Sequence, residues 1–251
     1  MSEMSQSHDK DLIQAVQPFR SGVAHFRASS IEHVDVYYEE PTILMISDQH
    51  WDVVSNAVYG GGFSSARAAV NVRVPLDYAS DTPAFDYVQW LQQGKLSEQY
   101  TAGFMTAAKL THAAFCEWTD DDFALLVMAT AGTSNAARAG MNRFTYAGYH
   151  AGTINVFIWI DGRMSQAAMV NAMMTATEAK CSALADLQII DKETNRIATG
   201  TTTDAMFLAA SQATTYRHEH QYAGTATTLG CQLARLVYQS IYTAVATQQQ
   251  D

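Results

Sequence analysis

The sequence predicts an α/β fold, a single-domain layered mixed β-sheet flanked by helices. Apolar, β-branched runs such as Leu125–Ala129 and Ile154–Ile160 have the length of strands. The segments that follow Ser165 and Thr225 have the length of helices, and the two kinds alternate through the second half of the chain. The first strands look hairpin-connected, so a wholly parallel sheet is not expected. No Pro- or Ser-rich linker and no internal charge block divides the 251 residues, which argues for one domain over 1–251.

Taken in order, residues 1–10 and the terminal 248–251 are polar and expected to fray. Val34–Glu39 and Thr42–Ser47 are short β-branched and aromatic runs around Glu40-Pro41, a strand pair. Tyr59-Gly60-Gly61-Gly62-Phe63 reads as a loop. Ala68–Val74 alternates, with Val70, Val72 and Val74 on one face and Asn71 and Arg73 on the other. Thr82-Pro83 opens a helix through Gln93, and Gly94 stops it. Leu125–Ala129 is uninterrupted and suits a central strand. In Ile154–Ile160 the isoleucines and Val156 share one face, while Asn155, Phe157 and Trp159 share the other. Asp161-Gly162 turns, and Ser165 caps a helix to about Asp186. Arg196–Ala210 reads as one strand, and Thr225 to about Thr247 as the last helix.

Composition narrows the function. With 48% hydrophobic and 16% charged residues the chain suits a well-filled core rather than disorder. A net charge of −10 leaves no basic stripe for a phosphate backbone, so no nucleic-acid partner is expected. Cys116, Cys181 and Cys231 form no CxxC, and their odd number fits a reducing compartment. The polar, acidic N-terminus is not signal-like, and no apolar run approaches roughly 18–20 residues, so a cytoplasmic protein with no membrane span is expected. The Ala-rich last helix is compatible with a homo-oligomer.

Three boxes of small polar residues lie at the ends of strand-like runs: Thr130-Ala-Gly-Thr-Ser-Asn-Ala, Gly152-Thr-Ile-Asn and Ala198-Thr-Gly-Thr-Thr-Thr-Asp-Ala. Such residues bring N–H groups, hydroxyls and amides close to a polar ligand with little bulk in the way. Together with Gly61-Gly62-Phe63, Val70-Asn71-Val72, Gly103-Phe-Met-Thr-Ala-Ala and Ala176-Thr-Glu-Ala-Lys, they make the chain resemble the adenosylcobinamide amidohydrolase family over roughly Ser47 to Val237. The resemblance implies a hydrolase of cobamide salvage and remodelling. It would cleave the amide between the aminopropanol arm of adenosylcobinamide and the corrin f side chain. The corrinoid is then substrate, and no cofactor is required. Polar positions on these strings offered to substrate are Gly61, Gly62, Asn71, Thr106, Thr130, Ser134, Asn135, Thr153, Asn155 and Thr201.

Amide hydrolysis needs a nucleophile, a stabiliser for the oxyanion and an acid for the leaving amine. No GxSxG elbow and no HExxH string is present, and His218-Glu219-His220 reads as an exposed polar loop, so no metal site is assigned. The catalytic candidates are Glu178, Lys180, Asp204 and Thr203. Glu178 and Lys180 lie about 200° apart on a helix and cannot point at one substrate atom. Apolar or small neighbours predict partial burial for both; Glu178 suits a general base, and Lys180 suits an anion or a pair with Asp204. An ion pair to another element is the competing role for either. If the third box is extended, Thr199, Thr201 and Thr203 share one face and Gly200, Thr202 and Asp204 the other. A threonine hydroxyl beside a base can be a nucleophile, although threonine in a strand is more often a β-former. Asn71, Asn135 and Asn155 suit either carboxamide recognition or turn chemistry, and Phe157 and Trp159 either stacking on the ligand or the core. Two other functions stay open: a non-catalytic corrinoid-binding protein, and an amidohydrolase acting on a different amide.

Overall fold

A computed structural model describes residues 13–94, 97–142 and 153–250. Strands β1 (His25–Arg27), β2 (Val34–Glu39), β3 (Thr42–Ser55) and β4 (Gly62–Arg73) precede helix α1 (Pro83–Gln93). Then come β5 (Thr101–Thr106), β6 (Ala114–Thr119), β7 (Ala124–Ala131) and the short β8 (Ala136–Ala137). Next are β9 (Ile154–Asp161), β10 (Arg163–Met164) and helix α2 (Gln166–Asp186). The short strands β11 (Ile190–Asp191), β12 (Arg196–Ile197) and β13 (Gly200–Thr201) lead into β14 (Ala205–Ala210). Finally β15 (Glu219–His220) precedes helix α3 (Thr228–Thr247).

One mixed sheet runs β1-β2-β3-β14-β9-β7-β6, with β4 paired to β3 and β5 to β4. The pairs β9–β14 and β4–β5 are parallel, and the other neighbours in this sheet are antiparallel. The branch is possible because β3 is long. Its first half, Thr42–Ser47, pairs with β2; its end, Asp52–Ser55, pairs with β14; and β4 follows the other edge across an irregularity between Ile46 and Trp51. The sheet curls far enough that the Asn155 amide on β9 donates to the Met105 carbonyl on β5, at 3.0 Å.

The period-2 pattern sets two cores. Leu125, Val127 and Ala129 of β7, Ile154, Val156, Ile158 and Ile160 of β9, and Met206 and Leu208 of β14 pack against α2 and α3. Leu126, Met128, Phe157, Trp159 and Phe207 point into the curl and meet Trp51, Phe104 and Phe115. Phe157 and Trp159 are therefore core residues, fully buried, and do not offer a stacking surface to a ligand. A third cluster, Val70 and Val72 with Tyr87 and Leu91, fastens α1 to β4.

The helices end where local chemistry dictates. Ser165 Oγ accepts from the Ala168 N–H at the start of α2, and Thr227 Oγ1 accepts from Gly230 N–H at the start of α3. A Cβ on Gly230 would lie 2.1 Å from the Gly224 carbonyl oxygen, so only glycine lets the preceding loop close on this helix. Along α2, Ala168, Ala172, Ala176, Ala179 and Ala183 are all buried, and these small side chains let the helix lie close to the sheet.

Several expectations are corrected. Asn71 does lie opposite the valine face, and it is fully buried too, because the sheet curls over that side. The segment Arg196–Ala210 is not one strand: β12, β13 and β14 are separated by turns around Ala198–Thr199 and Thr202–Asp204. There the Asp204 carboxylate takes the Thr201 N–H itself, which breaks the ladder. Glu219–His220 is a strand parallel to β10 rather than a loop, and the His220 ring packs edge-on to Phe123. Gln248 and Gln250, expected to fray, accept hydrogen bonds from Lys109 N and Lys109 Nζ respectively. Residues 1–10, Asp251 and Gly152 of the second box lie outside the described residues. No helix among the described residues is long and apolar enough to cross a membrane.

Candidate active site

Parallel strands β9 and β14 start side by side, and α2 runs back from the far end of β9 to reach that starting edge. Between Gln166 and Lys180 the helix advances about 21 Å, close to the roughly 23 Å spanned by the residues of β9. Lys180 thereby arrives over the start of β14, where it forms an ion pair with Asp204 Oδ2. The two side chains are 11% and 16% exposed, so the pair is mostly shielded from water.

Asp204 is held on every side. Its Oδ1 accepts from the Thr201 hydroxyl, from Thr201 N–H at 3.1 Å and from Ile154 N–H at 3.2 Å. Thr201 N–H also lies 3.1 Å from Oδ2. A Cβ at Gly200 would come within 2.2 Å of Asp204 Oδ2 and 2.8 Å of Lys180 Nζ, so glycine is needed for this pair to close. The Asp204 backbone is fixed too: Asn56 Nδ2 donates to its carbonyl at 2.9 Å, while Asn56 Oδ1 accepts from Met206 N–H at 2.7 Å. The Asn56 side chain thus extends the β3–β14 ladder by one rung.

The three polar boxes converge here. Gly200 and Thr201 pair with Ala137 and Ala136 through β13 and β8, which joins the third box to the first. Asn135 Nδ2 donates to the Thr202 hydroxyl at 2.8 Å. Thr153 Oγ1 donates to the Thr203 carbonyl at 2.7 Å, which adds the second box. Behind them runs a buried amide relay: Asn155 Nδ2 donates to Asn71 Oδ1 at 2.9 Å, and Asn71 Nδ2 donates to Thr130 Oγ1 at 2.9 Å. Asn71, Thr130 and Asn155 are fully buried, so they brace the site from inside and are not exposed to a ligand.

Other candidates fall elsewhere. Glu178 is exposed on the outer side of α2, contrary to the expected partial burial, because the helix turns it about 200° from Lys180. Thr106 is buried and accepts from Ala108 N–H, which is a turn role. Gly61 closes the β3–β4 turn and Gly62 opens β4, so the expected loop ends before Phe63; a Cβ on Gly61 would meet the Ala57 carbonyl at 2.7 Å, and Gly62 has φ +97°. They flank Ser55 and Asn56, at the same edge as Asp204. Ser134 is exposed in the turn after β7. Among the described residues, no group of three or more His, Cys, Asp or Glu is placed to hold a metal ion.

Two residues at the site carry no sequence signal. Asn56 lay beyond the expected end of its strand and had no motif of its own. Cys181 follows Lys180 and hydrogen-bonds the Thr199 carbonyl through its Sγ, at 3.2 Å. Burial pushes the Cys181 thiol up, and the neighbouring Lys180 charge offsets this only in part, so the sulfur stays protonated near neutral pH.

The sequence pattern of adenosylcobinamide amidohydrolases matches residues 27–251, a span that contains every residue of this site. The chain belongs to the adenosylcobinamide amidohydrolase family. Family membership makes it an amidohydrolase, and the matched span contains the three polar boxes that here meet around Asp204. Among curated relatives, the adenosylcobinamide amidohydrolase of Methanosarcina mazei is 26% identical over 82% of this chain and 94% of its own length. An uncharacterised protein of Methanocaldococcus jannaschii is 25% identical over 74% of this chain and 80% of its own. A Pyrococcus horikoshii protein of known crystal structure overlaps 82% of this chain and 77% of its own, with a TM-score of 0.41 and 7% identity.

Proposed function

We propose that this amidohydrolase cleaves the amide joining the aminopropanol arm of adenosylcobinamide to the corrin f side chain. Water is the co-substrate, and the products are adenosylcobyric acid and 1-amino-2-propanol. The observation that carries the reading is the meeting of the three polar boxes around the Lys180–Asp204 pair, in a chain matched by the family pattern over residues 27–251. The curated relative named for this activity supports it. In this reading Lys180 and Asp204 form the charged centre. Hydroxyls and backbone groups of the first and third boxes surround the scissile amide, and Glu178 stays outside. The reaction takes place in the cytoplasm, where adenosylated corrinoids form, and the three free cysteines fit that setting.

The test is incubation of purified protein with adenosylcobinamide, cobinamide and a complete cobamide in parallel, without ATP and with or without chelator. Release of 1-amino-2-propanol, read by mass spectrometry and unchanged by chelator, is the expected outcome. A shift in the corrinoid visible spectrum with no amine released would refute hydrolysis and indicate sequestration. Release from an unrelated amide but not from adenosylcobinamide would refute the substrate.

A further inference from the structure

The charged centre contains a carboxylate and an ammonium but leaves open which oxygen attacks the amide. Of the four threonine hydroxyls in the third box, that of Thr199 accepts from Ala139 N–H, and the three consecutive ones at Thr201, Thr202 and Thr203 differ in what they face. The Thr202 and Thr203 hydroxyls accept from the Asn135 amide, at 2.8 and 3.4 Å. The Thr201 hydroxyl instead donates to Asp204 Oδ1. A hydroxyl becomes a nucleophile when a neighbouring base removes its proton, and Thr201 has a carboxylate in place for that.

The surroundings favour the same residue. Thr201 is partly buried, and the carboxylate beside it is mostly covered and tied to Lys180. The Thr203 N–H lies 3.3 Å from Thr201 Oγ1, where it would stabilise negative charge developing on that oxygen. The Lys180–Asp204–Thr201 arrangement sits where a side chain at position 200 would intrude, and the Asn56 clamp fixes the Asp204 backbone.

We infer that Thr201 is the nucleophile, with Asp204 as the base that takes its proton and Lys180 as the residue that positions Asp204. Thr201 Oγ adds to the amide carbonyl carbon as its proton passes to Asp204 Oδ1. The tetrahedral adduct collapses with rupture of the C–N bond. The leaving nitrogen takes the proton from Asp204, which releases the amine and leaves an ester on Thr201. Water then attacks the ester and gives a proton to Asp204. Rupture of the ester C–O bond returns that proton to Thr201 Oγ and frees the acid. The net change is amide plus water to acid plus amine.

This inference rests on the amide-hydrolase reading for its substrate, so the experiment includes a probe that contains no corrin. Wild type, Thr201→Val, Thr201→Ser and Asp204→Asn are first compared by thermal melting, to establish that each is folded. They are then assayed for amine release from adenosylcobinamide. In parallel each is treated with an alkyl β-lactone, whose ring opens on a nucleophilic oxygen to leave an ester, and the labelled residue is mapped by peptide mass spectrometry. Expected are at least a ~10³-fold fall in turnover for Thr201→Val, substantial turnover in Thr201→Ser, and a lactone ester on Thr201 in wild type that is absent in Asp204→Asn. Turnover in Thr201→Val within about tenfold of wild type overturns the inference. So does an inactive Thr201→Val whose wild-type parent carries the ester elsewhere or nowhere, since Thr201 would then be only a turn residue. Labelling at Thr201 without corrinoid turnover leaves the nucleophile standing and removes the substrate reading.

Discussion

Replacing Lys180 by methionine keeps the length of the side chain and removes its charge, leaving Asp204 without its ion-pair partner. Lys180 and Asp204 are 11% and 16% exposed, so the pair behaves as a largely buried one. Removing one member of such a pair typically costs about 3–5 kcal/mol, because the other charge remains in a poorly solvated place. Asp204 would keep the Thr201 N–H, the Ile154 N–H and the Thr201 hydroxyl, which brings the expected cost to the lower end, about 3 kcal/mol. In a chain of this size about 1 kcal/mol moves the melting temperature by roughly 2–4 °C, so Lys180→Met should melt about 6–12 °C below wild type. The assay is thermal unfolding at neutral pH of wild type, Lys180→Met, Asp204→Asn and the double variant. Because the residues touch, the double variant should lose less than the sum of the singles, by about 1–2 kcal/mol. A Lys180→Met protein that melts within about 2 °C of wild type, or strict additivity, would show that the pair does not hold the site together.

Three further outcomes test other parts of the structure. Asn71→Ala leaves the Thr130 hydroxyl and one Asn155 amide hydrogen without their buried partner; it should cost about 2–3 kcal/mol in urea unfolding, and a loss below about 0.5 kcal/mol would contradict the relay. The Arg27 guanidinium, and secondarily His25, hold the Asp35 carboxyl down to about 2. A carboxyl lowered in the fold stabilises it above the unfolded value near 3.9, and that contribution is lost as the pH falls through about 2. Asp35→Asn should therefore cost no more than about 1 kcal/mol at neutral pH, less in high salt, and progressively less as the pH falls through about 2; a deficit that persists undiminished in strong acid would contradict this. Burial pushes the Cys116 thiol up to about 11 and raises that of Cys181, whereas Cys231 is exposed. Alkylation of the native protein near pH 8 should mark Cys231 first and leave Cys116 unmodified; early labelling of Cys116 would mean that the core opens.

Local signals located much of the fold. Thr82-Pro83 and Gly94 bound α1, and Ser165 begins α2 as its capping chemistry predicts. The alternation in Ile154–Ile160 divides β9 between two cores as written in the sequence. Capping, turn formation and strand periodicity depend on residues a few positions apart, so a linear reading recovers them. The third box failed for the opposite reason. Its threonines favour an extended chain, yet the Asp204 carboxylate draws back the N–H and hydroxyl of Thr201 and folds the segment into a turn.

The candidate site divides the same way. Helical geometry alone separates Glu178 from Lys180 and allows Lys180 to pair with Asp204, and the structure shows that pair. Burial of Glu178 was expected from its small neighbours, but which side of an Ala-rich helix meets the sheet is decided by packing, and Glu178 lies on the other side. Asn71, Thr130 and Asn155 appeared as separate polar residues on three strands. Only the curl of the sheet joins them into one buried relay. Asn56 had no motif to mark it, because its role depends on a partner 148 positions away.

The sequence by itself determined the helices, the principal strands and the family, because each is encoded in residues near one another or in short strings kept in order. Tertiary structure alone decided that the three polar boxes come together, that the Thr201 hydroxyl meets Asp204, and that the two asparagines behind them are buried braces. Those relations depend on which strands become neighbours. Neighbour choice follows from burying two apolar faces at once, under α2 and α3 and inside the curl, and no short window of the chain contains that constraint.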